Sequence, residues 1–384
     1  MKAVGKIAGY TARERVALVA CGLLVLVLLW AAVWALETAS VGGTAAAARK
    51  HRRTTAPEAA PKVRTGAQLC TAVDVVYLWV NGSDAAHRRE MAQYGYGWDG
   101  GYRDYGVLRY SARSVAEFMP WVRHIVLVTN GQVPDWVNVS APRLRLVTHA
   151  DIFEHAEDLP TFNSNAIEAN LRNIPGLAPC FLYMNDDMFL GAPIAPAHFF
   201  DAHGNLRVHM SGNAAPNFAR MRENLWHASV GNTNAVLNRF YYPGADPYAV
   251  PHMYVQHTCY FMRTDILRTI GARWRREIDA TCRHRFRHAN DTAMPFMQAN
   301  VALEEFGARA APHSTNLYGV WTPDARRNTA FWRSVWAKPH ACVCMNDNLD
   351  NSAASLRETR RLEQLFQRKF PRPSFIEKQT LPSL

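Results

Sequence analysis

The sequence predicts an α/β protein: a doubly wound, mostly parallel, Rossmann-like sheet with helical additions, preceded by one N-terminal transmembrane helix. The first observation is an alternation of short apolar runs, several closed by Asn, Asp or Gly, with segments that carry apolar residues at helical spacing. Such alternation is typical of parallel sheets whose strands are joined by helices. The second observation is one long uncharged apolar stretch near the N-terminus, which predicts the transmembrane helix.

The N-terminal segment is expected to hold the protein at a membrane. Residues 16–36 carry no charge, and as a helix they would span about 31 Å, close to the hydrocarbon thickness of a bilayer. Basic residues precede this signal anchor, so residues 1–15 are expected to form a cytoplasmic tail. Residues 37–68 are predicted to be a flexible stem and residues 69–384 a lumenal domain. A cleaved signal peptide is the alternative, although its apolar core is usually only about 7–15 residues long.

The composition fits a folded lumenal domain and argues against nucleic acid as a partner. The net charge is +11, but residues 1–68 contribute most of it, so the basic character is not a property of the domain. Six of the seven cysteines follow the predicted anchor, as expected in an oxidising compartment, and their pairing stays open. Cys342 and Cys344 belong to no pair of CxxC motifs, so no zinc site is expected.

Each predicted element has its own pattern. Residues 124–129 are an almost continuous apolar run, as expected for a strand buried on both faces. Pro175-Gly176 ends the helix that is predicted over 164–174. Near the C-terminus, Leu362 and Phe366 lie on the apolar face of a further helix, which is expected to pack on the core. The other predicted elements are a strand over 73–80, a helix over 107–118, strands over 124–129 and 144–148, a helix over 164–174 and a strand over 181–184.

Polar residues follow the predicted strands. Because the carboxyl ends of parallel strands meet at one edge of the sheet, ligands bind there. Asn81 and Gly82 follow the first strand, and Asn185, Asp186 and Asp187 follow the fourth. Asn, Asp and Gly also simply favour turns, which is the alternative at every strand end. Adjacent carboxylates repel each other unless a cation or proton intervenes, so Asp186 and Asp187 predict a divalent cation together with phosphate oxygens.

Sequence motifs of several other enzyme classes are absent. There is no GxGxxG and no GxxxxGK[ST], so dinucleotide-binding and P-loop sites lose their main support. There is also no GxSxG and no HExxH, the motifs of common hydrolases and zinc proteases.

Four blocks of the chain resemble the Stealth family of sugar-1-phosphate transferases, which includes N-acetylglucosamine-1-phosphotransferase and bacterial capsule polymerases. The blocks occur in order across most of residues 74–377, and together they are a specific match. They are DVVYLWVNGSD from Asp74, the stretch from Tyr102 to FLYMNDDMFLG, VPHM from Val250 with RHAND from Arg287, and CVCMNDNLDNSAASLRETRRLEQLFQRKFPRPSFIE from Cys342.

The resemblance implies a reaction. Hexose 1-phosphate moves from a nucleotide-sugar to a hydroxyl of a glycan or glycoprotein, a phosphodiester forms and a nucleoside monophosphate leaves, with Mg²⁺ or Mn²⁺ as the cofactor. It also implies a single-pass type II protein of a Golgi or other secretory-pathway membrane, with a Stealth-type catalytic domain in the lumen; a homo-oligomer stays open. The alternatives are a metal-dependent glycosyltransferase that moves the sugar alone and a catalytically silent carbohydrate-binding protein.

The resemblance implies site residues as well. His252 is the expected base, because an imidazole accepts a proton near neutral pH. The expected catalytic residues are His252, Asp186, Asp187 and Arg287; the metal ligands Asp186, Asp187 and Asp291; and the donor-binding residues Asp74, Trp79, Asn81, Gly82, Arg109, Arg113, Glu168 and Asn346. Ion pairs are the alternative for Arg109 and Arg113, and core packing for Trp79. Pairing with Arg172 four residues on is the alternative for Glu168.

The chain departs from the family's pattern at three positions. Ala249 stands where the family often has the first His of His-x-Pro-His-Met. Asn290 and Asn348 stand where it has carboxylates. These changes are the basis of the catalytically silent alternative.

Overall fold

The computed structural model describes residues 65–95, 104–215, 224–311, 315–350 and 352–378. The predicted tail over 1–15, the predicted anchor over 16–36 and residues 37–64 of the predicted stem lie outside the described residues. Within the described ranges, no helix is both long enough and apolar enough to cross a lipid bilayer.

The strands and helices have the following bounds. The strands are β1 (Val73–Leu78), β2 (Ile125–Thr129), β3 (Leu144–Thr148), β4 (Cys180–Asn185), β5 (Met188–Leu190), β6 (Arg207–Ala214), β7 (Met253–Val255), β8 (Tyr260–Arg263), β9 (Arg309–Ala311), β10 (Asn316–Trp321) and β11 (Cys342–Asp347). The α-helices are α1 (Gly66–Leu69), α2 (Ala85–Gln93), α3 (Val107–Phe118), α4 (His149–Ile152), α5 (Ser164–Asn170), α6 (Leu225–Tyr241), α7 (Thr264–Arg273), α8 (Arg275–Cys282), α9 (Met294–Glu305), α10 (Ala325–Ala337) and α11 (Ala353–Lys369). Short 3₁₀ helices cover Ala156–Asp158, Leu171–Asn173 and Pro196–Phe199.

The central sheet has five strands in the order β3-β2-β1-β4-β8. The first four run parallel, and β8 pairs antiparallel with β4 at the edge. Every residue of β2 is buried, which explains its apolar sequence. The predicted α/β class and mostly parallel sheet are confirmed, and the predicted strand boundaries agree with the observed ones to within two residues.

The strand order creates a crevice between β1 and β4. From β1 the chain continues to β2 and β3 on one side, whereas β4 lies on the other side of β1. Such a reversal is the topological switch point at which open α/β sheets bind ligands, at the carboxyl ends of the strands. Trp79 follows β1 and Asp186 follows β4, so both lie at this crevice.

Two smaller sheets were not predicted. One has the order β10-β11-β5, with β10 and β11 parallel and β5 antiparallel to β11; the other has the order β7-β6-β9. Only Asp186 and Asp187 separate β4 from β5, so the chain passes from the central sheet to the second one through these two residues. The amide of Met345 in β11 donates to the carbonyl of Asp187 at 2.9 Å, which ties this junction to β11.

The C-terminal helix packs on the core, as predicted, and it does so against the second sheet. Leu362, Phe366 and Phe370 are buried, and Phe189 of β5 lies edge-on to Phe366 with ring centroids 5.0 Å apart. The rest of this core comes from α3, α10 and α11 together with β10 and β11; its buried members include Tyr110, Trp321, Trp332, Val335, Val343 and Met345.

Two disulfides join distant parts of the chain. Cys70 pairs with Cys180 at the start of β4, and Cys259 pairs with Cys342 at the start of β11. Closing loops of this length restricts the unfolded chain and so stabilises the fold. Among the described cysteines, Cys282 and Cys344 are not in disulfides, and both are buried.

Residues 238–250 are the described part of a separate compact unit. Within it, the Asn238 side-chain amide donates to the carbonyls of Pro247 at 2.6 Å and Val250 at 2.8 Å.

Candidate active site

Three carboxylates form the centre of the candidate site. Burial raises the pKa of Asp186 well above its ordinary value, and the nearby charges of Asp187 and Asp104 raise it further. Burial likewise raises the pKa of Asp187 to about 6 and raises that of Asp104. Trp79 donates from Nε1 to Asp104 Oδ2 at 3.1 Å, and the amide of Gly106 donates to Oδ1 at 2.7 Å. Burial therefore destabilises the ionised form of each of these carboxylates, and repulsion between neighbouring charges adds to the effect at Asp186.

One oxygen of this cluster has no hydrogen-bond donor. Asp187 Oδ1 is buried and accepts no hydrogen bond from any described group, and Oδ2 lies 3.6 Å from the thiol sulfur of Cys344. A buried carboxylate oxygen without a donor is destabilising, whereas a bound cation would offset both this cost and the repulsion among the carboxylates. Asp186 and Asp187, with Asp104 beside them, thus fit a hard divalent cation, which prefers oxygen ligands.

A further buried acid, Glu168, contacts β4, the strand that leads to Asp186 and Asp187. The hydroxyl of Tyr183 in β4 is 2.8 Å from Glu168 Oε1 and 2.7 Å from Asn185 Oδ1. Burial raises the pKa of Glu168 to about 7, against the opposing effects of the Tyr183 hydrogen bond and the Arg287 charge. Arg172 pairs with Glu154 instead, so the alternative ion pair with Glu168 does not form. Glu168 can therefore change its charge near neutral pH.

Glu168→Gln is expected to raise stability at high pH only. Below its ordinary pKa of about 4.5, Glu168 is neutral in both states and has no effect on the free energy of unfolding. As the pH rises towards 7 the unfolded chain releases the proton first, so the wild type loses stability on the order of 3 kcal/mol. Glutamine has no proton to lose, so the variant should melt several degrees above the wild type at pH 8 and close to it at pH 5.

Thermal unfolding of both proteins across this pH range tests the prediction. Glu363→Gln, which removes an exposed carboxylate on α11, is the matched control and should follow the wild type at every pH. A melting-temperature difference for Glu168→Gln that is the same at pH 5 and pH 8 would contradict the raised pKa.

Arg287 lies close to Glu168. Its guanidinium donates to the Ser164 hydroxyl from Nε at 3.2 Å and from one Nη at 2.9 Å. Its charge opposes the rise in the pKa of Glu168 and lowers the pKa of His257, so it lies close to both side chains. Arg287 is otherwise exposed, so its guanidinium is accessible to an anionic ligand.

Asp291 holds the loop that carries Arg287. It is fully buried, and its Oδ2 accepts from Asn163 at 2.9 Å, from Asn165 at 3.1 Å and from the amide of His288 at 2.8 Å. Its Oδ1 lies 2.7 Å from His284 Nδ1, and ligand atoms of His284, His288 and Asp291 lie within 4.8 Å of one another. Because the protein's own donors surround Asp291, we assign it to positioning this loop and leave it out of the cation site proposed below.

His252 is buried and held by Asn234. Its amide and its Nδ1 lie 2.9 and 2.8 Å from Asn234 Oδ1. On the same helix, the Asn232 amide donates to the carbonyls of Asn290 at 2.9 Å and Asp291 at 3.1 Å. Helix α6 thus carries contacts both to His252 and to the loop of Arg287.

The β11 side of the site is lined by Asn346, which was predicted, and by Tyr318, His257 and Cys344, which were not. Asn346 donates to the Tyr318 hydroxyl at 3.2 Å, and the rings of Tyr318 and His257 lie 5.9 Å apart. Ligand atoms of Asp187, His257 and Cys344 lie within 4.8 Å of one another. His257 lies in none of the quoted blocks and in no periodic pattern. Asp104 lies in the second Stealth-like block and Cys344 in the fourth, and these blocks were the available signal for both.

Three predicted donor-binding residues make contacts within the protein, and their predicted contact with the donor stays a prediction. Asp74 lies at the amino end of β1, away from the crevice, where Arg123 contacts both its oxygens at 3.0 and 2.6 Å. Arg113 donates from two nitrogens to Glu377 at 2.7 Å, and Arg109 donates to the same carboxylate at 2.7 Å. The ion-pair alternative describes these arginines, and all three residues are left out of the proposed site.

The remaining predictions at strand ends are mixed. Trp79 is buried and positions Asp104 through its indole nitrogen, so packing rather than stacking on a ligand describes it. Asn81 exchanges main-chain hydrogen bonds with the Gln132 side chain at 2.8 and 3.3 Å, and the Gly82 carbonyl accepts from Arg88 at 3.0 Å. These two residues form the turn after β1. Their predicted contact with the donor stays a prediction.

The substituted positions of the family pattern lie outside the carboxylate cluster. Asn290 and Asn348 are exposed; the amide of Asn290 donates to His288 Nδ1 at 3.2 Å, and that of Asn348 donates to the Trp321 carbonyl at 2.9 Å. The replacements therefore leave Asp104, Asp186 and Asp187 intact.

Family models match most of the region that carries the site. Conserved region 1 of Stealth proteins matches residues 71–95, conserved region 2 matches 101–208 and conserved region 3 matches 256–299. These matches include Trp79, Asp104, Asp186, His257 and Arg287.

Curated relatives are bacterial proteins. An exopolysaccharide phosphotransferase of Streptomyces coelicolor is 33% identical over 320 residues, which are 80% of this chain and 52% of the relative. One of Lactiplantibacillus plantarum is 27% identical, over 80% of this chain and 96% of the relative. A capsular polysaccharide phosphotransferase of Haemophilus influenzae is 31% identical over 57% of this chain and 62% of the relative. The chain spans about half the length of the Streptomyces relatives that it matches.

Solved structures are matched more weakly. The galactosyltransferase LgtC in complex with donor and acceptor sugar analogs is 11% identical, with a TM-score of 0.39, over 77% of this chain and 95% of that chain. At this TM-score the likeness carries no argument about function.

The predicted location in a Golgi or other secretory-pathway membrane is wrong. The relatives are polysaccharide phosphotransferases of bacteria, which have no Golgi apparatus. The predicted single-pass type II topology depends on residues 16–36, which lie outside the described residues. The Stealth family also includes bacterial capsule polymerases, so the resemblance by itself does not imply a Golgi membrane.

Proposed function

The chain belongs to the Stealth family, and from that premise we propose that it transfers a sugar 1-phosphate from a nucleotide-sugar to a hydroxyl of a polysaccharide. A phosphodiester forms and a nucleoside monophosphate leaves. The observation that carries the proposal is the cluster of Asp104, Asp186 and Asp187 at the crevice between β1 and β4. A polysaccharide acceptor is favoured over a glycoprotein because the relatives are named for polysaccharides.

A cation at this site would stabilise two groups of negative charge: the two phosphates of the donor and the clustered carboxylates. Asp186 and Asp187 would hold Mg²⁺ or Mn²⁺, and the orphaned Oδ1 of Asp187 supports this assignment. When bound, such a cation supplies positive charge to the non-bridging phosphate oxygens. Trp79 and the amide of Gly106 keep Asp104 turned towards the cluster.

Arg287 would bind a phosphate of the donor. Its guanidinium forms a planar fork that suits phosphate oxygens, and it is exposed beside Glu168. The Ser164 hydroxyl orients it at 2.9 Å. An ionised Glu168 would keep the arginine in place, whereas a protonated one would release it towards the phosphate.

His252 is the proposed base. Asn234 Oδ1 is an acceptor, so the 2.8 Å contact requires that Nδ1 of His252 carry the proton. Its Nε2 then has the lone pair that takes the proton of the acceptor hydroxyl. The placement of His252 beside the helix that also holds the Arg287 loop supports this role.

The leaving group decides between this proposal and simple glycosyl transfer. We expect the purified protein, incubated with nucleotide-sugars, an oligosaccharide acceptor and Mg²⁺ or Mn²⁺, to release a nucleoside monophosphate and give a phosphodiester signal by ³¹P NMR. Release of a nucleoside diphosphate would instead identify a metal-dependent glycosyltransferase, the alternative kept from the sequence. No nucleotide product from any donor would favour a carbohydrate-binding protein.

A further inference from the structure

Cys344 has a thiol in the candidate active site for which sugar-phosphate transfer has no use. It is buried and is not in a disulfide, whereas Cys342, two residues before it, pairs with Cys259. Its backbone position is set by pairing: Cys344 lies opposite Met188 in the antiparallel ladder of β11 and β5, next to Asp187. The thiol sulfur lies 3.6 Å from Asp187 Oδ2. A soft sulfur ligand, Cys344, therefore lies beside a hard oxygen ligand, Asp187.

His257 completes a set of three different ligand types. One ring nitrogen of His257, the Cys344 sulfur and an Asp187 oxygen lie within 4.8 Å of one another. His257 Nδ1 is 2.7 Å from the Tyr260 hydroxyl, the kind of hydrogen bond that orients a metal-binding histidine.

Asp187 supplies a second observation that points to a ligand. Its buried Oδ1 accepts no hydrogen bond from any described residue. Mg²⁺ satisfies carboxylate oxygens but has little affinity for a thiolate or an imidazole. A carboxylate, an imidazole and a thiolate together suit Zn²⁺ or Co²⁺ in tetrahedral coordination, with one position left open.

We propose that Asp187, His257 and Cys344 form a binding site for a thiophilic transition-metal ion such as Zn²⁺ or Co²⁺. The ligand atoms of a tetrahedral site lie about 3.5 Å apart, so side-chain movements of about 1 Å close the set around the ion. On binding, the Cys344 thiol gives its proton to solvent and the thiolate bonds to the ion, with no change of oxidation state. The site shares Asp187 with the proposed Mg²⁺ or Mn²⁺ site, so Zn²⁺ there would inhibit transfer; only this consequence rests on the proposed function.

Titration of the full-length, metal-free protein with Co²⁺ tests the site without any substrate. Bound cobalt should give a near-ultraviolet thiolate-to-cobalt charge-transfer band together with visible bands of tetrahedral Co²⁺, and Zn²⁺ should abolish both. Cys344→Ser should lose the charge-transfer band, whereas Cys282→Ser, at the other described buried thiol, should keep it. His257→Asn keeps the thiol but should bind Co²⁺ at least about tenfold more weakly.

Two results would overturn the site: no charge-transfer band in the wild type, or a band that persists unchanged in Cys344→Ser. Circular dichroism of each variant shows that the comparison is made between folded proteins. Because the band is read without donor or acceptor, a protein that shows it but transfers nothing would contradict the proposed function and leave the metal site standing.

Discussion

Asp186→Asn is expected to lower the kcat of transfer by about 10³-fold and to leave the protein folded. The variant removes an anionic ligand of the proposed cation from a site where charge interactions are strong, and losses of about 10²–10³ are typical for such electrostatic groups. Asparagine has the same shape. The substitution also removes a destabilising charge, because burial and the charges of Asp187 and Asp104 raise the pKa of Asp186. The melting temperature of the variant should therefore stay equal or rise.

The measurement is single-turnover release of nucleoside monophosphate, with thermal unfolding in parallel. Glu363→Gln, on an exposed part of α11, is the matched acid-to-amide control and should keep wild-type kcat. Wild-type turnover in Asp186→Asn, at any Mg²⁺ concentration, would remove Asp186 from the site.

Glu377→Ala is expected to cost about 3–5 kcal/mol of the free energy of unfolding. Glu377 is buried; Arg113 donates to both its oxygens at 2.7 Å, and Arg109 adds a third hydrogen bond. Without the carboxylate, the buried guanidinium of Arg113 keeps one hydrogen bond, to the Phe370 carbonyl at 2.9 Å, and loses its counter-charge. Removing one partner of a buried pair is costly because the remaining charge stays desolvated.

Urea unfolding of the single and double variants tests this. Arg113→Met with Glu377→Leu removes both charges, so it should cost clearly less than the sum of the two single substitutions. Burial alone would raise the pKa of Glu377, but the hydrogen bonds of Arg113, Ser374 and Arg109 lower it below its ordinary value. The stabilisation should therefore be present above the ordinary glutamate pKa and disappear as the pH falls through the lowered one. A cost under about 1 kcal/mol for Glu377→Ala would contradict the buried pair.

This pair also shows where sequence reasoning stopped. The four-residue spacing correctly put Arg109 and Arg113 on one face of α3. Their partner is 268 and 264 residues away, near the C-terminus, and no local pattern identifies it. The family resemblance pointed to a phosphate, yet the folded chain supplies its own carboxylate.

The interpretation of Asp291 and Trp79 met the same limit. The resemblance offered Asp291 as a metal ligand, but three donors from the protein surround its Oδ2. The resemblance implies donor contact for Trp79, with core packing as the alternative; the structure shows a buried side chain that also donates to Asp104. Asp104 lies in the second Stealth-like block, but no further pattern marks a single acid in a loop as a site residue.

The sequence by itself determined what depends on neighbours along the chain. Apolar runs predicted the four parallel strands of the central sheet but not its edge strand β8. Helical spacing predicted α3 and α11, and two adjacent acids after a buried strand marked the centre of the site. The tertiary structure decided which distant side chains meet there. Asp104 reaches Asp186, and His257 and Cys344 reach Asp187, through strand pairing and crossovers. Such contacts follow from the free energy of the whole packed chain rather than from any periodicity within it.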